Sequence, residues 1–123
     1  MRHTLLLMLI LWPGVAAAQD ADAGRKVFRK CMACHAVDAD APERAGPHLQ
    51  GIIGRGIGSL PDSSYTAALR DAGDEGRIWT EEELRAFIEN PRAVFPRTKM
   101  NFAGLRQEQE QKDLIAYLGT LTE

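Results

Sequence analysis

Cys31-Met32-Ala33-Cys34-His35 is the stretch of this sequence best equipped for chemistry. Two thiols at C-x-x-C spacing followed at once by His form the attachment pattern for a c-type haem. Each thiol adds to one vinyl group of the porphyrin, and the adjacent His reaches the iron as an axial ligand. The competing readings are a thioredoxin-like dithiol and half of a zinc site. The chain has only 2 cysteines, which excludes a four-thiolate zinc site, and dithiol chemistry does not require the His.

The other face of the iron can be read by elimination. Haem iron accepts His, Met, Cys or Tyr. Beyond residue 18 the histidines are His35 and His48, and the methionines are Met32 and Met100. Attachment consumes the cysteines. Met32 lies between them and cannot swing to the opposite face. His48 shares a short loop with His35. Met100 sits far along the chain, between two helical segments that can wrap the ring. A loop Met is most often packing. With a haem to ligate and no better donor, His35 and Met100 are the expected metal ligands.

The elements that must position these groups follow from composition and periodicity. The chain has 123 residues, a formal charge of -2 and 45% hydrophobic residues, enough for one domain. No basic run points to nucleic acid. Residues 1–18 read as a cleaved signal peptide: Met1-Arg2-His3 is positive, Thr4–Leu11 is leucine-rich, and Ala16-Ala17-Ala18 supplies the small residues before the cut. The apolar run is short for a membrane span, and Pro13-Gly14 argues against an uncleaved anchor. Export fits a haem attached outside the bacterial cytoplasm, and predicts a periplasmic protein. Removing residues 1–18 takes one cation and no acid, so residues 19–123 carry a formal -3.

Helices dominate that mature domain. Residues 20–30 read as a first helix, capped by Asp20 or Asp22, with Val27 and Phe28 facing inward. Gly24 costs helix stability, which suggests close packing on another helix. Residues 38–58 read as loop. Ser63 or Ser64 would cap a short helix through Leu69, and residues 71–77 would form a polar loop. Thr80-Glu81-Glu82-Glu83 is a capping box that opens a helix with Leu84, Phe87 and Ile88 inside. Asn90-Pro91 would stop it, residues 92–104 would be a second loop, and residues 107–121 the last helix. No strand is expected.

In its order and spacing the whole mature stretch resembles a class I cytochrome c of the soluble mitochondrial and bacterial periplasmic type. After the haem motif, Gly46-Pro47-His48-Leu49…Gly51…Gly54-Arg55, Tyr65-Thr66-Ala67-Ala68, Ile78-Trp79, Glu89-Asn90-Pro91, Pro96-Arg97-Thr98-Lys99-Met100-Asn101-Phe102 and Asp113–Leu118 resemble the family's successive elements. The resemblance implies an all-α fold, the small helical cytochrome c fold wrapped around one covalently attached haem c. It implies that Cys31 and Cys34 hold the haem and that the Pro47 carbonyl accepts the His35 ring N–H. It also implies that Arg55, Tyr65 and Trp79 donate to the propionates, with Thr98 near one of them. On their own, these are an ordinary surface Arg and two core aromatics.

Four positions depart from the family's pattern. His48 replaces the usual Asn, Leu69 a polar Asn, Phe87 a Tyr and Arg97 a Gly, and the loop before Trp79 is about three residues longer. These changes suggest a drier distal side, and Arg97 raises a question about backbone shape, since only Gly takes φ > 0 cheaply.

A haem filled on both faces passes one electron rather than binding substrate, so no enzyme activity is expected. His/Met ligation raises its potential. The resemblance implies a monomer that docks redox proteins at the haem edge, where Lys30, Arg92, Arg97 and Lys99 lie, meeting membranes only through redox complexes. The alternatives are solvated charges at those four positions, a haem-bearing subunit of a larger complex, and a peroxidase or gas binder with an open sixth site.

Overall fold

The computed structural model describes residues 19–61 and 65–122. The signal-peptide reading, and the caps expected at Ser63 or Ser64, lie outside them. The described residues contain five α-helices and no strand: α1 (Ala21–Val27), α2 (Ala67–Asp74), α3 (Glu81–Glu89), α4 (Pro91–Val94) and α5 (Glu108–Gly119). A 3₁₀ turn, Phe28–Lys30, continues α1 into the cysteine motif. None of the helices is long and apolar enough to cross a membrane. The all-α expectation is met.

The first and last helices form the frame. The Asp20 carboxylate caps α1, accepting from the Asp22 and Ala23 N–H groups. Its own N–H donates to Asp113 Oδ1 at 3.0 Å, tying α1 to α5. Gly24 is buried at the crossing, where a Cβ would stand 1.9 Å from the Asp113 carbonyl oxygen. That contact explains a glycine where helix propensity alone would favour alanine. Phe28 packs on Tyr117 with ring centroids 5.6 Å apart. The buried Asp113 carboxylate also accepts from Gln109 Nε2 at 2.9 Å, so its charge is not left without donors.

Helix α3 starts as its sequence predicts, with Thr80 Oγ1 accepting the Glu83 N–H at 3.0 Å. Only half of the capping box forms. Glu83 turns outward to Arg77 at 3.1 Å, and the Thr80 N–H goes to the Ile78 carbonyl. Leu84, Phe87 and Ile88 are buried as expected, joining Leu114, Ile115 and Leu118 of α5 in one core. Each such side chain contributes about 1.5–3 kcal/mol on burial.

Three expectations need correction. The cap of α2 is Thr66, whose Oγ1 accepts the Leu69 N–H, and the helix runs through Asp74 rather than stopping before Asp71. Gly73 makes that extension possible: a Cβ there would meet the Ile57 carbonyl at 2.0 Å. Pro91 ends α3 but also opens α4, the first-turn position where its missing N–H costs nothing. The last helix is shorter than residues 107–121 by its frayed ends.

Candidate functional site

The cysteine motif leaves the 3₁₀ turn in a tight series of bonds. The Cys31 N–H donates to the Phe28 carbonyl at 2.8 Å, and the Cys34 and His35 N–H groups return to the Cys31 carbonyl at 3.1 and 3.0 Å. Cys31 is half-buried, and burial pushes its thiol pKa up, against the opposing pull of Lys30. Cys34 is exposed, and the two thiols form no disulfide. The exposed Arg44 reaches back to the Met32 carbonyl, a cross-link the sequence does not announce.

His35 is held with its ring oriented. Its Nδ1 lies 2.7 Å from the Pro47 carbonyl oxygen. A carbonyl only accepts, so Nδ1 carries the proton and Nε2 keeps a lone pair for a metal. Gly46 lies flat against the ring: a Cβ there would come 2.5 Å from His35 Cε1. The sequence marks this Gly only as part of the segment that resembles the family.

These residues border one cavity of about 310 Å³, within the roughly 300–1,000 Å³ of ligand sites. Cys31, Cys34, His35, Pro47, Tyr65, Trp79, Thr98 and Met100 all line it. His48, the competing imidazole, lines a different cavity of about 250 Å³. Most of the remaining wall is apolar, with Leu69 and Phe87 among it. Both are buried hydrophobes at positions where a polar group was the alternative. Trp79 is fixed from two directions. Its ring packs on Phe87 and Phe95 at 5.2 and 6.4 Å, and its backbone N–H donates to the Arg55 carbonyl at 2.8 Å.

The Met100 loop is organised by Thr98. Its Oγ1 accepts the Met100 N–H at 3.2 Å, and its own N–H donates to the Phe95 carbonyl at 2.9 Å. Arg97 does not have positive φ; among the described residues only glycines do. The loop therefore needs no glycine at that position.

Two of the expected residues have partners within the protein. Arg55 does not line the cavity. Its guanidinium holds the carbonyls of His48 (2.8 Å) and Gln50. Lys30 lines the cavity's rim but is paired with Glu110 of α5 at 3.0 Å. Arg92, Arg97 and Lys99 are exposed.

The donor set fits a covalently held haem. Two unpaired thiols, one oriented imidazole, one thioether and three donor side chains border a single apolar cavity. Among the described residues no cluster of His, Cys, Asp and Glu is built for a bare metal ion.

A family model described as cytochrome c matches residues 21–122. Cytochrome c2 of Afifella marina is 46% identical over 98 residues, covering 80% of this chain and 79% of that protein. Cytochrome c2 of Blastochloris viridis is 41% identical over 120 residues, covering 96% and 92%. Among solved structures, cytochrome c2 of Rhodospirillum centenum superposes with a TM-score of 0.76 at 38% identity, over 85% of this chain and 99% of that one.

Proposed function

The chain belongs to the cytochrome c family, and on that premise we propose that it is a soluble monohaem carrier of single electrons between periplasmic redox partners. In this reading the haem c is joined to Cys31 and Cys34, and the iron is ligated by His35 and Met100. The observation that carries it is the His35 Nδ1 to Pro47 carbonyl contact of 2.7 Å beside a cavity that Met100 also lines.

When bound, the haem supplies a one-electron Fe(III)/Fe(II) couple whose potential His/Met ligation raises. The protein's residues do the rest. Pro47 fixes the His35 tautomer and makes its Nε2 a better donor. Thr98 holds the backbone of Met100. Leu69, Phe87 and Trp79 exclude water from the cavity, which keeps the surroundings similar in both oxidation states. Tyr65 and Trp79 offer one O–H and one N–H to the propionates. Arg55 supports the same region from outside the cavity. Docking uses the rim, where Lys99 lies, with Arg92 and Arg97 contributing more than Lys30, whose charge is partnered by Glu110. The protein acts as a carrier and not as an enzyme, working as a monomer after removal of residues 1–18.

The test is the visible spectrum of the dithionite-reduced protein with and without carbon monoxide. Sharp low-spin bands that the gas does not move are expected. A shifted Soret band would mean an open sixth position and would move the protein to the gas-binding or peroxidase class.

A further inference from the structure

His48 stands beside the site without belonging to it. Its Nδ1 lies 3.3 Å from Arg55 Nη2. A guanidinium can only donate. Nδ1 of His48 therefore presents its lone pair, and the ring proton sits on Nε2. This is the reverse of His35, whose Nδ1 must carry the proton to meet Pro47. Two imidazoles on either side of Gly46-Pro47 are thus held in opposite tautomers by partners of opposite chemistry.

Resting on the assignment of His35 as an iron ligand, we propose that His48 is a positioning residue for it, acting through Arg55. Among the described residues the guanidinium gathers the His48 carbonyl at 2.8 Å, the Gln50 carbonyl and the His48 ring nitrogen. Together they pin the segment that begins at Pro47. The same segment is tied to the rest of the chain by the Leu49 N–H to Ala36 carbonyl bond at 2.9 Å and by Gln50 Oε1, which accepts the Ala39 N–H at 2.7 Å. Pro47 has no N–H of its own with which to anchor its peptide. The direction of its carbonyl is set by what holds its neighbours. The His48 ring closes the clamp on the residue immediately after it. Bonds in such a network reinforce one another, so losing one acceptor loosens the others.

The consequence falls on the iron. A firm Pro47 bond makes His35 a stronger donor, which favours the ferric state. Loosening it favours the ferrous state. His48→Phe keeps a flat ring and removes the acceptor. His48→Asn restores an acceptor oxygen near the position of Nδ1.

The experiment uses the full holoprotein at neutral pH. In the reduced state, 15N NMR of the native protein is expected to show His48 protonated at Nε2 alone. In His48→Phe, the ratio of reduced to oxidised protein at equilibrium with a fixed mediator couple is expected to rise about threefold, roughly 28 mV at 59 mV per decade. Solvent exchange of the His35 Nδ1 proton should accelerate in the same variant. His48→Asn should return both readouts to native values. Unchanged ratio and exchange in His48→Phe overturn the proposal, as does a native His48 protonated at Nδ1, which requires no variant to fold. A native protein in which His35 does not bind iron sinks the carrier reading and this proposal together. Normal His35 ligation with an indifferent His48→Phe sinks this proposal alone.

Discussion

The two loops that face each other across the cavity are held in different ways. On the His35 side, bonds run to other parts of the chain. The Gly46 N–H reaches the Cys34 carbonyl at 2.8 Å, the Leu49 N–H reaches Ala36 at 2.9 Å, and the Gly51 N–H reaches the Leu121 carbonyl at 2.5 Å. On the Met100 side, the bonds among the described residues are short-range. The Thr98 N–H goes to Phe95, the Met100 N–H to Thr98 Oγ1, and the Phe102 N–H to the Met100 carbonyl. The next anchor is Leu105, whose N–H donates to the Ile88 carbonyl at 2.7 Å. Local bonds can travel with a loop as it moves, whereas remote ones must break. Among the backbone bonds of the described residues, those of the Met100 side are thus the more local, and whether that side opens ahead of the whole fold is what the following substitutions measure.

The largest effect that bears on this contrast is Met100→Ala. The reduced variant should bind carbon monoxide stoichiometrically where the native protein binds none, seen as a Soret shift. Unchanged gas behaviour would remove the Met100 side from the comparison altogether. Gly46→Ala attacks the other side. Its Cβ would stand 2.5 Å from His35 Cε1, and the cross-linked wall has little room to give. Overpacking of this kind costs about 1–3 kcal/mol. It should lower the midpoint of denaturant unfolding without first admitting carbon monoxide. Early gas binding in this variant would mean that the two sides open together.

A subtler probe is Thr98→Val, which removes the side-chain oxygen that holds the Met100 N–H. The lost bond is worth about 0.5–1.5 kcal/mol. Imidazole, added as an outside ligand, should bind the ferric protein roughly three- to tenfold more tightly, with the unfolding midpoint little changed. A midpoint that falls in step with ligand affinity would show that the loop opens only with the whole fold. The smallest change is expected for Lys30→Ala. Exposed ion pairs contribute about 0–1 kcal/mol, so stability should hardly move. The association rate with an acidic redox partner at low salt should fall less than in Arg97→Ala, because Arg97 has no ion pair among the described residues while Lys30 is held by Glu110.

What could be read from the sequence was mostly local. Thr80 and Glu83 announce the start of α3 because a cap is decided within three residues. Cys31, Cys34 and His35 announce their chemistry because the motif is contiguous. Gly24 could be read as a point of close approach, but not that the Asp113 carbonyl fills it, since the partner lies at the far end of the chain. The extension of α2 through Asp74 was hidden for the same reason. Gly73 looks like a breaker until the Ile57 carbonyl explains it as a docking point. Pro91 carries two meanings, stop and start, and only the stop is visible without the packing of the short helix it opens. The pairing of Lys30 with Glu110 spans 80 residues and leaves no periodic trace. At Arg55 the sequence shows a cation but not its contacts, since the guanidinium reaches the His48 carbonyl seven residues back.

The contact between α1 and α5 also sets an order on the chain's own folding. Gly24 has nothing to rest on until Asp113 and Tyr117 have docked, because those residues form the other half of the crossing. Closure of so distant a pair carries its full entropic cost before any contact offsets it. A chain whose α5 has not yet docked therefore holds Cys31, Cys34 and His35 on an unlatched, reachable segment. The thiols can meet their porphyrin before the fold shuts over them, and the last helix to dock acts as the bolt.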